Sequence, residues 1–173
     1  MERKSKKNKN DVSNSWTIRN CLQSGDIGYL AYLHGTVYSK EYGYDQTFEA
    51  YVAKGLAEFV VSFNPEKERL WVVEMRGQIV GFVAIVCLSV QEAQLRWFFV
   101  HPDFRGRGIG KQLLTEVVLF CKKHKYKTIS LWTTNELATA HHLYREAGFS
   151  KTEDITHEIW GKTVVEERYD LRL

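Results

Sequence analysis

Proline is scarce in this sequence, with only Pro65 and Pro102 in 173 residues. That excludes a proline-rich linker or a collagen-like repeat. Cysteine is scarce too. Cys21, Cys87 and Cys121 are odd in number, scattered and without C-x-x-C spacing, which excludes a disulfide framework. They read as reduced thiols of a cytoplasmic protein, mostly core fillers. No apolar run approaches the roughly 18 residues that a membrane helix needs. No apolar segment follows the first charges, as a secretory signal requires. His141 and His142 lack metal partners at useful spacing, so surface positions are expected for them and no metal.

Surplus charge is confined to one end. Lys and Arg number 24 against 21 Asp and Glu, a net +3. Residues 1–15 alone hold Arg3, Lys4, Lys6, Lys7 and Lys9 against Glu2 and Asp11, which accounts for the whole excess. That stretch is almost without apolar residues and is expected to be a disordered basic tail. A nucleic-acid partner is not expected from so short a run. Residues 16–173 balance in charge and read as one domain. A hydrophobic content of 44% is ordinary for a globular chain.

What is present is organised around residues 94–125. Leu95 to Val100 is apolar and aromatic apart from Arg96, as in a buried strand. Pro102 ends it, having no N–H for a ladder. Glycines follow at Gly106, Gly108 and Gly110. Then Ile109, Leu113, Val117 and Cys121 recur at four-residue spacing, with Leu114 and Val118 beside them. That is one apolar stripe on a helix. Lys122, Lys123 and Lys125 close it at the negative end of the dipole. A glycine loop opening a helix exposes unpaired N–H groups at the positive end, which suits a phosphate. Arg105, Arg107 and Lys111 add charged donors. A dinucleotide fingerprint would need a third glycine where Lys111 stands. A P-loop would need glycine and Ser/Thr where Arg105 and Gln112 stand.

The rest of the chain supplies a meander and three more helices. Trp16 to Arg19 alternates as a short strand. Ser24 or Asp26 is placed to cap a helix with Ile27, Leu30, Ala31, Leu33 and Val37 on its buried face. Residues 45–47 open a second helix with Phe48, Val52, Leu56 and Phe59 inward. Between them His34, Tyr38, Glu41, Tyr42 and Tyr44 form an aromatic and polar cluster, either a core edge or an acceptor pocket. Residues 70–88 read as a hairpin about Arg76-Gly77-Gln78. Residues 128–133 are a strand, and Thr134 or Asn135 is placed to cap a helix ended by Gly148. A last hairpin turns at Trp160-Gly161-Lys162. The order β-α-α-β-β-β-α-β-α-β-β predicts an α/β fold with a mixed sheet and helices on both faces.

Arg105-x-x-Gly108-x-Gly110 soon after Val100-x-Pro102 resembles the acetyl-coenzyme A loop of the GNAT superfamily of N-acetyltransferases. Ala140-x-x-Leu143-Tyr144-x-x-x-Gly148-Phe149 resembles the superfamily's second signature. The resemblance is nearest to the acetyltransferase half of bacterial proteins that join a MarR-type regulator to such a domain. It implies a GNAT-like, mostly antiparallel sheet of about seven strands with about four helices. It implies acetyl-CoA as co-substrate, with the backbone of Phe98, Phe99 and Val100 holding its pantetheine arm. The loop Arg105, Gly106, Arg107, Gly108, Ile109, Gly110 and Lys111 would hold its phosphates, and Asn135 is the nearest match to the family's asparagine contact. Tyr144 matches the general acid for the leaving thiolate. The family's usual base position holds Gln94. Period-2 geometry sets Glu92, Gln94, Arg96 and Phe98 on one strand face, which makes Glu92 the nearest carboxylate for a base. His157, Glu158 and Trp160 are candidates for an acceptor-pocket wall. The function expected is acetyl transfer to a primary amine, of a small molecule in the first place. The alternatives are a protein lysine or N-terminus, or a domain that senses acetyl-CoA without turnover. A homodimer is left open.

Overall fold

A computed structural model of the chain describes residues 15–173. The expected basic tail lies outside the described residues save for Ser15. Strands β1 (Thr17–Arg19), β2 (Arg69–Met75), β3 (Gln78–Cys87), β4 (Glu92–Val100), β5 (Thr128–Thr134), β6 (Ser150–Ile159) and β7 (Lys162–Arg172) form one sheet in the order β1-β2-β3-β4-β5-β7-β6. Every neighbouring pair is antiparallel except β4 with β5. Helices α1 (Asp26–Tyr42) and α2 (Gln46–Val61) belong to one face, and α3 (Ile109–Lys123) and α4 (Ala138–Glu146) to the other. This is the fold the sequence predicts. Two hairpins are closed by two-residue turns with both residues left-handed, Arg76-Gly77 (φ 52 and 75) and Trp160-Gly161 (φ 55 and 81). That twist matches the strands.

Each sheet face carries its own core. Leu113, Val117 and Cys121 of α3 are fully buried against Ile129, Leu131 and Tyr169, as the four-residue spacing requires. Burial pushes the Cys121 thiol up to about 12, so it is an inert filler. Cys21, by contrast, is exposed and fills nothing. Leu30, Val52, Leu56, Phe82, Trp97 and Phe99 make the core beneath α1 and α2. Each such side chain, fully buried, contributes on the order of 1.5–3 kcal/mol.

Two irregularities of β4 shape the centre. Its ladder with β5 runs only from Glu92↔Thr128 to Leu95↔Leu131. Beyond Leu95 the two strands part, and the β5-facing edge of residues 96–100 has no ladder partner among the described residues. The register with β3 also slips between Phe82 and Ala84, and Trp97 takes φ 51. This is a β-bulge, in which two consecutive residues share one face. Ala93 and Leu95 therefore point to the α3 side, whereas Trp97 and Phe99 point to the α2 side. The expected common face of Glu92, Gln94, Arg96 and Phe98 is corrected accordingly. Phe98 packs on the opposite side, because the bulge resets the alternation.

Helix starts also differ from expectation. Gly25, left-handed at φ 97, precedes α1 with no side-chain cap. Asp26 serves instead as a tie. It takes two 2.8 Å bonds from the Arg19 guanidinium and one from the Gln23 N–H. Leu137, not Thr134 or Asn135, precedes α4. Asp45 does cap α2, accepting from the Thr47 N–H.

Candidate active site

The gap between β4 and β5 leads into two cavities. One, of 420 Å³, is walled by Phe98, Phe99 and Val100, by Arg105, Gly106, Gly108, Ile109, Gly110 and Lys111, and by Leu137 to Ala140, His142 and Leu143. Gly106 and Gly108 hold φ 76 and 85, a region costly to a residue with Cβ. Gly108 precedes α3 without a side-chain cap, which leaves the first amides of the helix to an outside acceptor. A Cβ on Gly110 would lie 3.0 Å from Leu143 Cδ1 and 3.3 Å from Phe98 Cζ, so only glycine keeps this cradle open. Nine of the eleven expected cofactor-binding residues line the cavity. Arg107 is outside it, 5.2 Å over the Phe104 ring and reaching the Asp103 carbonyl. Asn135 is exposed and its N–H donates to the Val165 carbonyl. Glu136, Ala138 and Thr139 line the wall instead. Arg105 is occupied: two 2.9 Å bonds tie it to Glu41 and a third reaches the Val100 carbonyl. It braces the loop against α1.

The second cavity, of 440 Å³, opens on the other side of the same gap. Tyr38, Phe98 and Leu137 line both cavities, so they form the shared wall. The sheet supplies Gln94 and Arg96, then Trp132, Thr134, Ile155, His157 and Glu166. The helices supply His34, Tyr38, Phe48 and Tyr51, and the last hairpin supplies Trp160. The aromatic cluster between α1 and α2 is thus a cavity wall. Tyr44 fixes it, its hydroxyl accepting from Thr134 Oγ1 (2.9 Å) and donating to Glu136 (3.1 Å), while Lys162 holds Glu136 at 2.6 Å. Of the expected hairpin residues, His157 and Trp160 face the cavity, and Glu158 accepts from Thr163 elsewhere.

Tyr144 reaches this cavity from α4, only 4% exposed, its ring 5.7 Å from that of Phe98. Burial, with Tyr38 nearby, pushes its phenol well above the usual range, so it stays protonated. Thr133 Oγ1 is buried beside it in the cavity wall with no partner among the described residues. An orphaned hydroxyl at the splay and a glycine cradle below it are what an amide-bearing, phosphate-tipped ligand such as acetyl-CoA would fill.

Glu92 is placed apart from this group. It does not line the cavity, and its Oε1 accepts from Arg168 and Ser130, each at 2.9 Å. The carboxylate that does line it is Glu166, which the sequence reading missed. Burial raises its pKa, and His157 Nε2 stands 3.2 Å away. The hairpin register Ile155↔Glu166 and His157↔Val164 brings them together. Alternation along β7 from the apolar Val164 was the available signal. His141 was expected at the surface. It is buried, with Nε2 2.9 Å from the Thr134 carbonyl and 3.4 Å from Glu167.

Comparison with known proteins agrees with this geometry. Residues 66–151 match the family model for an acetyltransferase (GNAT) domain. An uncharacterised N-acetyltransferase of Methanocaldococcus jannaschii is 30% identical over 148 residues, covering 80% of this chain and 62% of that protein. N-acetylaspartate synthetase of Danio rerio is 36% identical over 97 residues, covering 54% of this chain and 34% of the relative. The chain therefore spans between a third and two thirds of these relatives. A GNAT family acetyltransferase from Elizabethkingia anophelis, solved with acetyl-CoA bound, superposes with TM-score 0.66 at 18% identity. That match covers 92% of this chain and 99% of the other, and it shows the shared fold. No helix among the described residues is long and apolar enough to cross a membrane. The chain carries an N-acetyltransferase domain of the GNAT family.

Proposed function

We propose that this chain is an acetyl-CoA-dependent N-acetyltransferase that acts by direct transfer to a primary amine of a small molecule. The observation that carries the reading is the meeting of two cavities at the β4–β5 gap, with Tyr144 beside their shared wall. Acetyl-CoA supplies the acetyl thioester. The amides at the start of α3 and the cradle over Gly110 bind its phosphates. The unpaired edge of residues 96–100 takes its pantetheine arm as an added strand.

In the second cavity Glu166 accepts the proton of the acceptor's ammonium, and His157 holds that carboxylate in place. The amine nitrogen then bonds to the acetyl carbon as the carbon–sulfur bond breaks, Tyr144 gives its proton to the departing sulfur, and the second proton shed by the new amide nitrogen restores the Tyr144 phenol through solvent. Burial weakens the Tyr144 acid, but it penalises a thiolate leaving into the same cavity as well, so transfer stays favourable. Glu166 takes the role expected of Glu92, because Glu92 is spent on Arg168.

The test is release of the CoA thiol during incubation with primary amines. Tyr144→Phe keeps the ring and its packing and is expected to lower kcat by about 10²–10⁴-fold with little change in CoA affinity. Glu166→Gln is expected to remove the acid limb of the kcat/KM profile, since the base works only when ionised. Normal turnover by Tyr144→Phe, or CoA binding without thiol release by any amine in the parent, contradicts the proposal.

A further inference from the structure

One charged side chain in the second cavity has no role in the scheme above. Among the described residues Arg96 is the only lysine or arginine lining it. The bulge at Trp97 puts Arg96 and Trp97 side by side on the face covered by α2. A non-glycine residue held left-handed costs about 1–2 kcal/mol, so the surrounding packing imposes this pairing. Gly55 of α2 makes room for it. A Cβ there would stand 3.0 Å from Trp97 Cζ2 and 3.3 Å from Arg96 Nη2.

The guanidinium is positioned without being neutralised. Its centre lies 4.6 Å over the Trp97 ring and 5.7 Å from that of Tyr51. Nη2 donates to the Tyr51 hydroxyl at 3.1 Å. No carboxylate among the described residues pairs with it, whereas Arg19, Arg105 and Arg168 each have one. Stacking occupies the faces of a guanidinium and leaves its N–H edge free to take a planar anion in a forked pair. A further donor in the patch, Trp97 Nε1, is buried without an acceptor among the described residues.

We infer that Arg96 binds a carboxylate of the acceptor, so that the amine acetylated here is one that carries a carboxylate, of the amino-acid kind. The inference rests on the transferase reading and names its substrate class. The placement of Glu166 fits it. Glu166 and Arg96 lie on the same sheet face, on strands separated by β5 alone. Because β4 and β5 part beyond Leu95, the two side chains face each other across a gap wider than the roughly 10 Å of two strand spacings, which leaves room for an acceptor between them. A zwitterion then sits with its ammonium toward Glu166 and its carboxylate toward Arg96. Tyr51 and Trp160, packed on each other with rings 5.7 Å apart, line the adjoining wall.

The test uses matched acceptors that differ only in the carboxylate, phenylalanine against phenethylamine and leucine against isopentylamine. The parent is expected to favour each amino acid by at least about tenfold in kcat/KM, mostly through KM. Arg96→Gln is expected to shrink that ratio to within about threefold, and Arg96→Lys to retain part of it. Product binding gives a readout that needs no turnover. In the presence of CoA, N-acetylphenylalanine should bind the parent more tightly than N-acetylphenethylamine, and Arg96→Gln should abolish the difference. Equal use of both members of each pair, preference for the plain amines or a lysine peptide, or a ratio unmoved in Arg96→Gln overturns the inference. Absence of all turnover alongside normal CoA binding strikes the transferase reading instead, and the product-binding arm still decides the role of Arg96.

Discussion

His34 lies 3% exposed, with the rings of Tyr38, Phe48, Phe82 and Phe99 centred 4.9 to 6.1 Å away. Burial depresses its pKa from 6.5 to about 4, against a weak counter-effect from the Leu30 carbonyl 3.3 Å from Nδ1. Because the folded value is below the unfolded one, the unfolded chain binds the extra proton between them. The stability His34 confers is whole above pH 6.5 and is lost as pH falls toward 4. The difference is worth about 3 kcal/mol. Urea unfolding across that window should show the loss, and His34→Phe should flatten it while keeping the ring packing. An unchanged pH slope in the variant would mean that His34 titrates normally. The positions of single residues were legible where the backbone allows one residue type, as at Gly108 and Gly110 in the cavity wall, or where a helical frame fixes a side chain, as at Tyr144 facing the gap. Glu166 was not legible. Alternation along β7 sets Glu166 on the face of Val164, but which residues β6 places opposite it and which cavity that face lines are not written in local spacing.

Elements were legible by period and punctuation. Pro102, Gly148 and the two positive-φ turns ended what they were expected to end. The bulge of β4 was not, because an apolar run on a sheet buried on both faces gives no mark where an extra residue enters. That one residue moved Phe98 to the cofactor side and left Arg96 beside Trp97. The start of α1 was misread for a related reason: Asp26 has the chemistry of a cap but is drawn off by Arg19. The pair is nearly buried, 14% and 7% exposed, and joins β1 to the helix that carries His34 and Tyr38. Asp26→Asn leaves Arg19 with Glu74 as its remaining carboxylate partner. It should cost about 2 kcal/mol, read as a lowered melting temperature. A melting temperature within a degree of the parent would show that the tie is dispensable.

At the scale of the molecule, the sheet is continuous except where β4 and β5 part. Seven strands hold together through antiparallel ladders, and the one parallel pair opens after four residue pairs. The cavity over the start of α3 lies on one side of that opening, and the cavity lined by Glu166 and Arg96 lies on the other. The whole account depends on the loop over Gly110 being where CoA binds. Calorimetric titration of CoA into the parent and into Gly110→Val tests this most directly, with the fold of the variant checked by its circular dichroism spectrum. A branched side chain there must displace Phe98 or Leu143 from the cradle. The account predicts binding weakened by at least about tenfold in a folded variant. Equal affinity in parent and folded variant would contradict it.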